Sequence, residues 1–277
     1  MCAEQSPKIM LSDLLTALYF LQFKVHRKVV LWLTGGLFFT QLLAEAFWMS
    51  VLSLRHVAAI DYYHYKRAKK YQGKGFNTSL FFDWEEVMVN NWFLKCKSIM
   101  VLASGGGREL YALARMGCHV EGYECNRGMV KSSAALLRSE GFNVSVAWVP
   151  PDHCPDNGII YDGIIIGWGS YNHIRGRNKR LQLLREALSH LSKGAPLLVS
   201  FWHTSPEIER YCRRLYKVHR FFCMIFHTPP GEKGDRLYPV SGHYFTLEEV
   251  RSELTEAGFS VAYEASSPYG HIVALAT

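Results

Sequence analysis

Three glycines, one carboxylate and a few histidines are the residues on which chemistry could be built. Gly105, Gly106 and Gly107 follow the apolar run 99–102 within KSIMVLASGGGR (97–108), and a helical pattern starts at once over 109–116. Glycine has no side chain to hold a ligand away, so a strand–glycine–helix turn lets backbone approach a nucleotide-like group closely. The helix that follows adds unsatisfied N–H groups and a partial positive charge at its start. Such turns also occur with no ligand. What gives this one meaning is Glu124, seventeen residues after Gly107 and at the end of a second strand pattern, 119–123. A carboxylate there is placed to accept from the two hydroxyls of a ribose. For proton transfer the candidates are His173, Tyr171, His203 and His243. His173 and His203 follow the fourth and fifth strand patterns, where a general base would face a bound substrate. A loop histidine bonded to backbone is an equally good account of His173.

The elements that must position these residues alternate in type. Strands are expected at 98–103, 118–123, 143–149, 161–166 and 195–201, and helices at 108–116, 127–140, 178–192, 206–220 and 246–257. Such alternation implies an α/β fold, a mostly parallel sheet with helices on both faces. A ligand would sit at the carboxyl ends of the strands, near the reversal of strand order. The chain ends with two strand patterns, 259–264 and 270–276, separated by Ser-Ser-Pro-Tyr, which reads as an antiparallel edge. Residues 231–244, GEKGDRLYPVSGHY, have the composition of a lid or substrate loop.

The first hundred residues differ in texture. Residues 9–24 read as an amphipathic helix, and 29–44 contain no charge before Glu45 interrupts an apolar run that continues to Leu54. A bilayer span needs about 20 predominantly apolar residues. That length is reached here only with Gln41 and Glu45 in the hydrocarbon, where a charge costs about 3 kcal/mol. An N-terminal helical extension over 1–60, docked on protein or lying at a membrane surface, is therefore expected in place of a spanning helix. Asn77 and Thr78 are placed to cap a helix over 81–93.

Charge is uneven along the chain. Residues 1–98 carry a net +5 and 99–277 only +2, which argues against an extended nucleic-acid track on the sheet. Five Lys/Arg among aromatics at 66–74 could serve nucleic acid, but a solvated helix face explains them as well. The seven cysteines form no CxxC pair, no His/Asp/Glu cluster has metal-ligand spacing, and reduced thiols in a cytoplasmic setting follow.

Taken in order, these stretches resemble the class I S-adenosylmethionine-dependent methyltransferases over roughly residues 60–277. IMVLASGGGREL resembles the first motif of that family, VEGYECN the second, and YDGIIIGWGSYNHI the fourth strand with its loop. REALSHLSKGAPLLVSFW resembles the helix, turn and fifth strand, and FTLEEVRSELTEAGFSV the closing helix and hairpin. The resemblance implies a Rossmann-like, mostly parallel seven-stranded sheet with an antiparallel C-terminal edge, as a catalytic domain over 61–277. Two departures stand out: Val101 occupies the place of the usual acid, and Ala103 that of the first glycine.

Carried onto this chain, the resemblance implies S-adenosylmethionine as cofactor. Ala103, Gly105, Gly106 and Gly107 would pass beside its methionine and ribose parts, with Glu124 on the ribose. Cys125 would lie on the adenine face, Asp152 near the adenine amino group, and Gly167 and Trp168 under the sulfonium. A core position explains Trp168 equally well. His173, Tyr171 and His203 remain the candidate bases; of the cations Arg175, Arg177, Lys179 and Arg180, two or three read as a solvated helix start and one as a candidate clamp for an acidic acceptor. The expected activity is methyl transfer to a small-molecule or lipid-like acceptor, with peripheral membrane contact through 9–54 as an accompaniment. RNA or protein methylation, and a non-catalytic scaffold of the same fold, are the alternatives. GWGSYNHI lacks the Asn/Asp-Pro-Pro-aromatic signature of base N-methylation.

Overall fold

A computed structural model describes residues 14–19, 21–22, 36–67, 71, 73–237 and 240–277. Parts of the expected 9–24 helix, of the 29–44 run, of the basic 66–74 segment and of the 231–244 loop lie outside the described residues. The described residues form two compact units, one from 66–204 with 243–277, the other from residues up to 65 with 205–242. The stretch 205–242, inside the region that the sequence assigns to the catalytic domain, groups with the N-terminal residues.

The larger unit is built on a seven-stranded sheet. Its strands are β1 (Ser98–Leu102), β2 (His119–Glu124), β3 (Ser145–Trp148), β4 (Gly163–Ile166), β5 (Pro196–Phe201), β6 (Phe259–Ala265) and β7 (Gly270–Ala276). Their order is 3-2-1-4-5-7-6. The first five are parallel, while β7 runs antiparallel to both β5 and β6. This is the Rossmann-like sheet with an antiparallel C-terminal edge that the sequence predicts. β1 and β4 read as unbroken apolar runs because both faces are covered. Met100 and Leu102 enter one apolar layer with Ile164 and Ile166, whereas Ile99 and Val101 enter the other with Ile165 and Leu198.

Helices α3 (Asp83–Trp92), α4 (Arg108–Arg115), α5 (Arg127–Ser139), α6 (Arg177–Ser189) and α8 (Leu247–Ala257) belong to this unit. Their starts follow ordinary capping rules. Asn126 accepts the Gly128 and Met129 N–H groups ahead of α5, and Thr246 with Glu249 forms a reciprocal capping box on α8. Asn77 does not cap α3 as expected. It closes a single helical turn, Lys74–Asn77, and α3 is instead entered through Phe82, whose N–H donates to Glu85 at 2.9 Å.

The smaller unit pairs α1 (Gly36–Val51) with α7 (Pro206–Phe226), joined by α2 (Leu54–Arg67). Ser205 caps α7 with Pro206 in its first turn, and His227 ends it in a left-handed conformation. Leu42, Ala46 and Trp48 meet Tyr211 and Leu215 in this core. Glu45, the charge that interrupts the apolar run, is wholly buried. It accepts from Arg236 Nε (2.7 Å), Tyr211 Oη (2.8 Å) and the Leu237 N–H (2.9 Å). A buried carboxylate needs such partners, and here protein supplies them. Among the described residues, no helix is long and apolar enough to cross a membrane.

Candidate active site

Strand register gathers the candidate residues at one edge of the sheet. Leu102 pairs with Tyr123 on one side and with Ile166 on the other, so Ala103, Glu124 and Gly167 lie one residue beyond on adjacent strands. The order reverses between β1 and β4, and the carboxyl ends of strands at such a reversal are where open α/β sheets take their ligands.

Glu124 faces the glycine bend. Its carboxylate is buried, with one oxygen accepting the Gly105 N–H at 2.8 Å and the other the Asn126 N–H at 2.7 Å. An ionised carboxylate has about four lone-pair sites, so each oxygen keeps acceptor capacity for a ligand. The bend is open on one side and closed on the other. A Cβ added to Gly105 would meet nothing within 4 Å, whereas one on Gly106 would lie 2.4 Å from both the Tyr71 carbonyl and Asn77 Oδ1. Asn77, buried, donates to the carbonyls of Tyr71 (3.0 Å) and Gly73 (3.1 Å) and so holds this segment onto Gly106.

Ala103 carries the backbone conformation that glycine would take, with φ of 51°. A left-handed conformation costs a residue with a Cβ roughly 1–2 kcal/mol. Substituting glycine also frees the unfolded chain, which costs about 0.4–1 kcal/mol. Ala103→Gly is therefore expected to stabilise the protein by about 1 kcal/mol or slightly less, read as a raised urea midpoint at unchanged slope. A lowered midpoint would show that the alanine methyl contributes packing. Gly167 is required by the same junction, since a Cβ there would lie 2.3 Å from the Ala103 oxygen. Val101, in the place of the motif acid, is wholly buried in the apolar layer and presents no polar group.

A network of charge underlies the start of α4. The Arg108 guanidinium is buried, paired with Glu85 (2.5 and 2.7 Å) and Glu109 (2.8 Å), and stacked 4.1 Å from the Phe82 ring. Glu109 also accepts the Trp168 N–H at 3.1 Å, which ties the β4 loop to α4. Trp168 is half-buried among Phe82 (4.8 Å between ring centres), Tyr269 (5.6 Å) and Phe76 (6.5 Å).

Three buried polar atoms here have no hydrogen-bond partner of good geometry among the described residues: Ser104 Oγ, Trp168 Nε1 and Tyr269 Oη. Buried donors are normally satisfied, so the neighbouring Trp168 and Tyr269, 5.6 Å between ring centres, mark a place suited to a ligand oxygen, whereas Ser104 Oγ lies beside Gly122. A Cβ on Gly169 would lie 2.7 Å from Tyr269 Oη, 3.5 Å from Asn172 Nδ2 and 3.6 Å from Trp202 Nε1, so several donors converge there. Burial pushes the Tyr269 phenol up against the opposing pull of the Asn172 and Trp202 donors that face its oxygen, which leaves its O–H to donate. No local motif marks Tyr269, Asn172 or Trp202 as site residues. Tyr269 lies in the Ser-Ser-Pro-Tyr loop, and the antiparallel pairing of β7 with β5 turns that loop to the ligand edge.

The candidate bases separate. His173 is half-buried, its ring edge-on to Trp202 at 5.3 Å between centres, and Trp202 in turn contacts Tyr244. His203 follows β5 and bridges to Phe245, and partial burial lowers its pKa. His243 is buried, its ring 4.3 Å from that of Phe245. Tyr171 is a correction: wholly buried, it donates to Glu253 at 2.5 Å, and burial with that carboxylate holds its phenol well above the usual range. Glu253 is also paired with Arg180 at 2.7 Å, so the trio anchors the 3-10 turn Ser170–His173 that carries Asn172 and His173. Of the proposed clamps, Arg177 pairs with Glu256 (2.7 Å) and Lys179 with Asp152 (2.8 Å). Asp152 is thereby drawn to α6. Cys125 makes a weak thiol contact with Glu124 (3.5 Å), and its carbonyl accepts from Trp148 Nε1 (2.8 Å).

The sheet order and edge define the fold of the class I S-adenosylmethionine-dependent methyltransferases, and this chain has that fold. Solved structures bear it out. An S-adenosylmethionine-dependent methyltransferase from Methanosarcina mazei is 19% identical, with a TM-score of 0.57, covering 71% of this chain and 98% of that one. An amino pentose methyltransferase from Micromonospora echinaspora, solved with S-adenosylmethionine bound, is 16% identical, with a TM-score of 0.52, covering 82% and 98%. The CcbJ methyltransferase from Streptomyces caelestis is 14% identical, with a TM-score of 0.53, covering 73% and 92%. No family model and no curated protein matches the chain.

Proposed function

We propose that this protein binds S-adenosylmethionine and transfers its methyl group to a small-molecule or lipid-like acceptor. The observation that carries the reading is the Glu124 carboxylate, buried against the open face of Gly105 with acceptor capacity left on both oxygens. The orphaned donors of Trp168 and Tyr269 support it, since they call for ligand oxygens at the same edge. When bound, S-adenosylmethionine supplies an electrophilic methyl group on a sulfonium. The chain then has to position and to exclude water.

Glu124 holds the ribose, Gly105 admits the backbone contact, and Cys125 flanks the adenine; Gly107, where a Cβ would lie 3.1 Å from Ser133, instead lets α5 pack against the bend. Trp168, Phe82 and Tyr269 form the aromatic wall that keeps the crevice dry. His173 takes the proton that a hydroxyl or amine acceptor must lose. His203, whose pKa is lowered by partial burial, is the second candidate for that role. A small acceptor also suits the amino pentose methyltransferase among the structural neighbours.

Isothermal titration with S-adenosylmethionine and S-adenosylhomocysteine tests the reading. Saturable one-to-one binding of both is the expected result. No heat at millimolar ligand, from protein shown folded by circular dichroism, would sink it and favour a scaffold.

A further inference from the structure

Helix α7 has two faces of opposite character. Tyr211, Cys212, Leu215, His219 and Cys223 are buried. Arg210, Arg213, Arg214, Lys217 and Arg220 are exposed, and so are Phe221 (56% accessible), Met224 (72%) and Ile225 (52%). At about 100° per residue these eight outward residues occupy one arc of about 140°. The acids of α7, Glu207 and Glu209, lie in its first turn, so the remaining helix is cationic and then apolar.

A groove of about 590 Å³ on this face is lined by Arg213, Lys217, Arg220 and Lys233 together with Phe221 and Met224. Glu209 is shared between Arg213 (3.0 Å) and Lys233 (3.3 Å). No carboxylate among the described residues pairs with Lys217 or Arg220. Large apolar side chains exposed together and bordered by cations mark a surface made for another body.

We propose that the outer face of α7 docks on an anionic phospholipid bilayer. Lys217 and Arg220 meet headgroup phosphates, and Phe221, Met224 and Ile225 enter the acyl boundary. Charge and spacing select this occupant. A helix with cations on its outward face beside exposed Phe, Met and Ile matches an interface whose phosphates lie above hydrocarbon. A second copy of this chain would bring five like charges against five. The surface uses none of the residues of the candidate active site, and methyl transfer does not require it.

The test is co-sedimentation of the whole chain with unilamellar vesicles of phosphatidylcholine, alone or mixed with phosphatidylserine. Binding is expected only with phosphatidylserine, and it should fall as salt rises. Each cation near such a surface strengthens binding roughly fivefold, so Lys217→Gln/Arg220→Gln should weaken it about 25-fold. Lys217→Glu/Arg220→Glu should weaken it further, and Phe221→Ser/Met224→Ser should release the protein at unchanged charge. Matching circular dichroism melts show that the variants fold. Equal binding to phosphatidylcholine alone, no binding to either vesicle, or unaltered binding by the charge variants would overturn the proposal. So would a dimer in sedimentation velocity that the charge variants dissociate while vesicle binding persists.

Discussion

Arg108→Met is expected to lower unfolding stability by about 3–5 kcal/mol, because it leaves buried carboxylates without their cation. The guanidinium joins Glu85, Glu109 and the Leu80 carbonyl (3.0 Å), and all three charged side chains are buried. Methionine replaces much of the volume, so most of the loss is electrostatic. Its pH dependence follows from the state of Glu85. Burial already holds that carboxyl above its ordinary value, despite the opposing Arg108 pair. Without Arg108 the folded pKa rises further, while the unfolded value stays ordinary.

A group whose folded form binds its proton more tightly destabilises the fold as pH rises past the unfolded pKa, and the penalty is relieved in acid. The Arg108→Met deficit, measured by urea unfolding, should therefore shrink from neutral pH into mild acid. Glu85→Gln in the same chain should recover part of it, since residues in one network are not additive. A loss below about 1 kcal/mol, typical of solvated pairs, would show that water reaches these carboxylates. Because Glu109 also holds the Trp168 N–H, the variant should loosen the β4 loop, seen as faster amide exchange at Trp168.

The sheet was legible because its signals are local. Unbroken apolar runs such as 163–166 are what a doubly covered parallel strand requires, and α5, α7 and α8 carry their own side-chain caps. The glycine bend with Glu124 was legible for the same reason, since register alone sets them side by side. What escaped depends on partners distant in sequence. Tyr171 reads as a loop residue near chemistry, yet the carboxylate that claims it is 82 positions away. Asn77 has the composition of a cap, but its amide is used to hold the Tyr71 and Gly73 carbonyls beside Gly106.

Glu45 argues against a membrane span in sequence, and its cation, Arg236, lies 191 positions on. The helix expected to end at 220 continues to Phe226. Its aromatic last turns read poorly as helix, but Phe222 and Phe226 pack on Phe47 of α1. Tertiary packing overrides propensity there.

Glu124→Gln is expected to weaken nucleoside binding by about 1.5–3 kcal/mol, the range for a lost hydrogen bond to a charged group. Two costs combine. The carboxylate accepts from both Gly105 and Asn126, and an amide can satisfy only one of those N–H groups with its single oxygen. The charge that favours two ribose hydroxyls is also lost. The loss should be equal for S-adenosylmethionine, S-adenosylhomocysteine and adenosine, because Glu124 addresses only the part they share. Titration of 2′,3′-dideoxyadenosine separates ligand contact from support of the bend. Wild-type protein should prefer adenosine over this analogue by about tenfold or more, as expected for charge-assisted contacts, and the Gln variant should lose that preference. If the wild type binds both nucleosides equally, Glu124 only props the glycine turn, and the carboxylate on which methyl transfer has been argued touches no ribose.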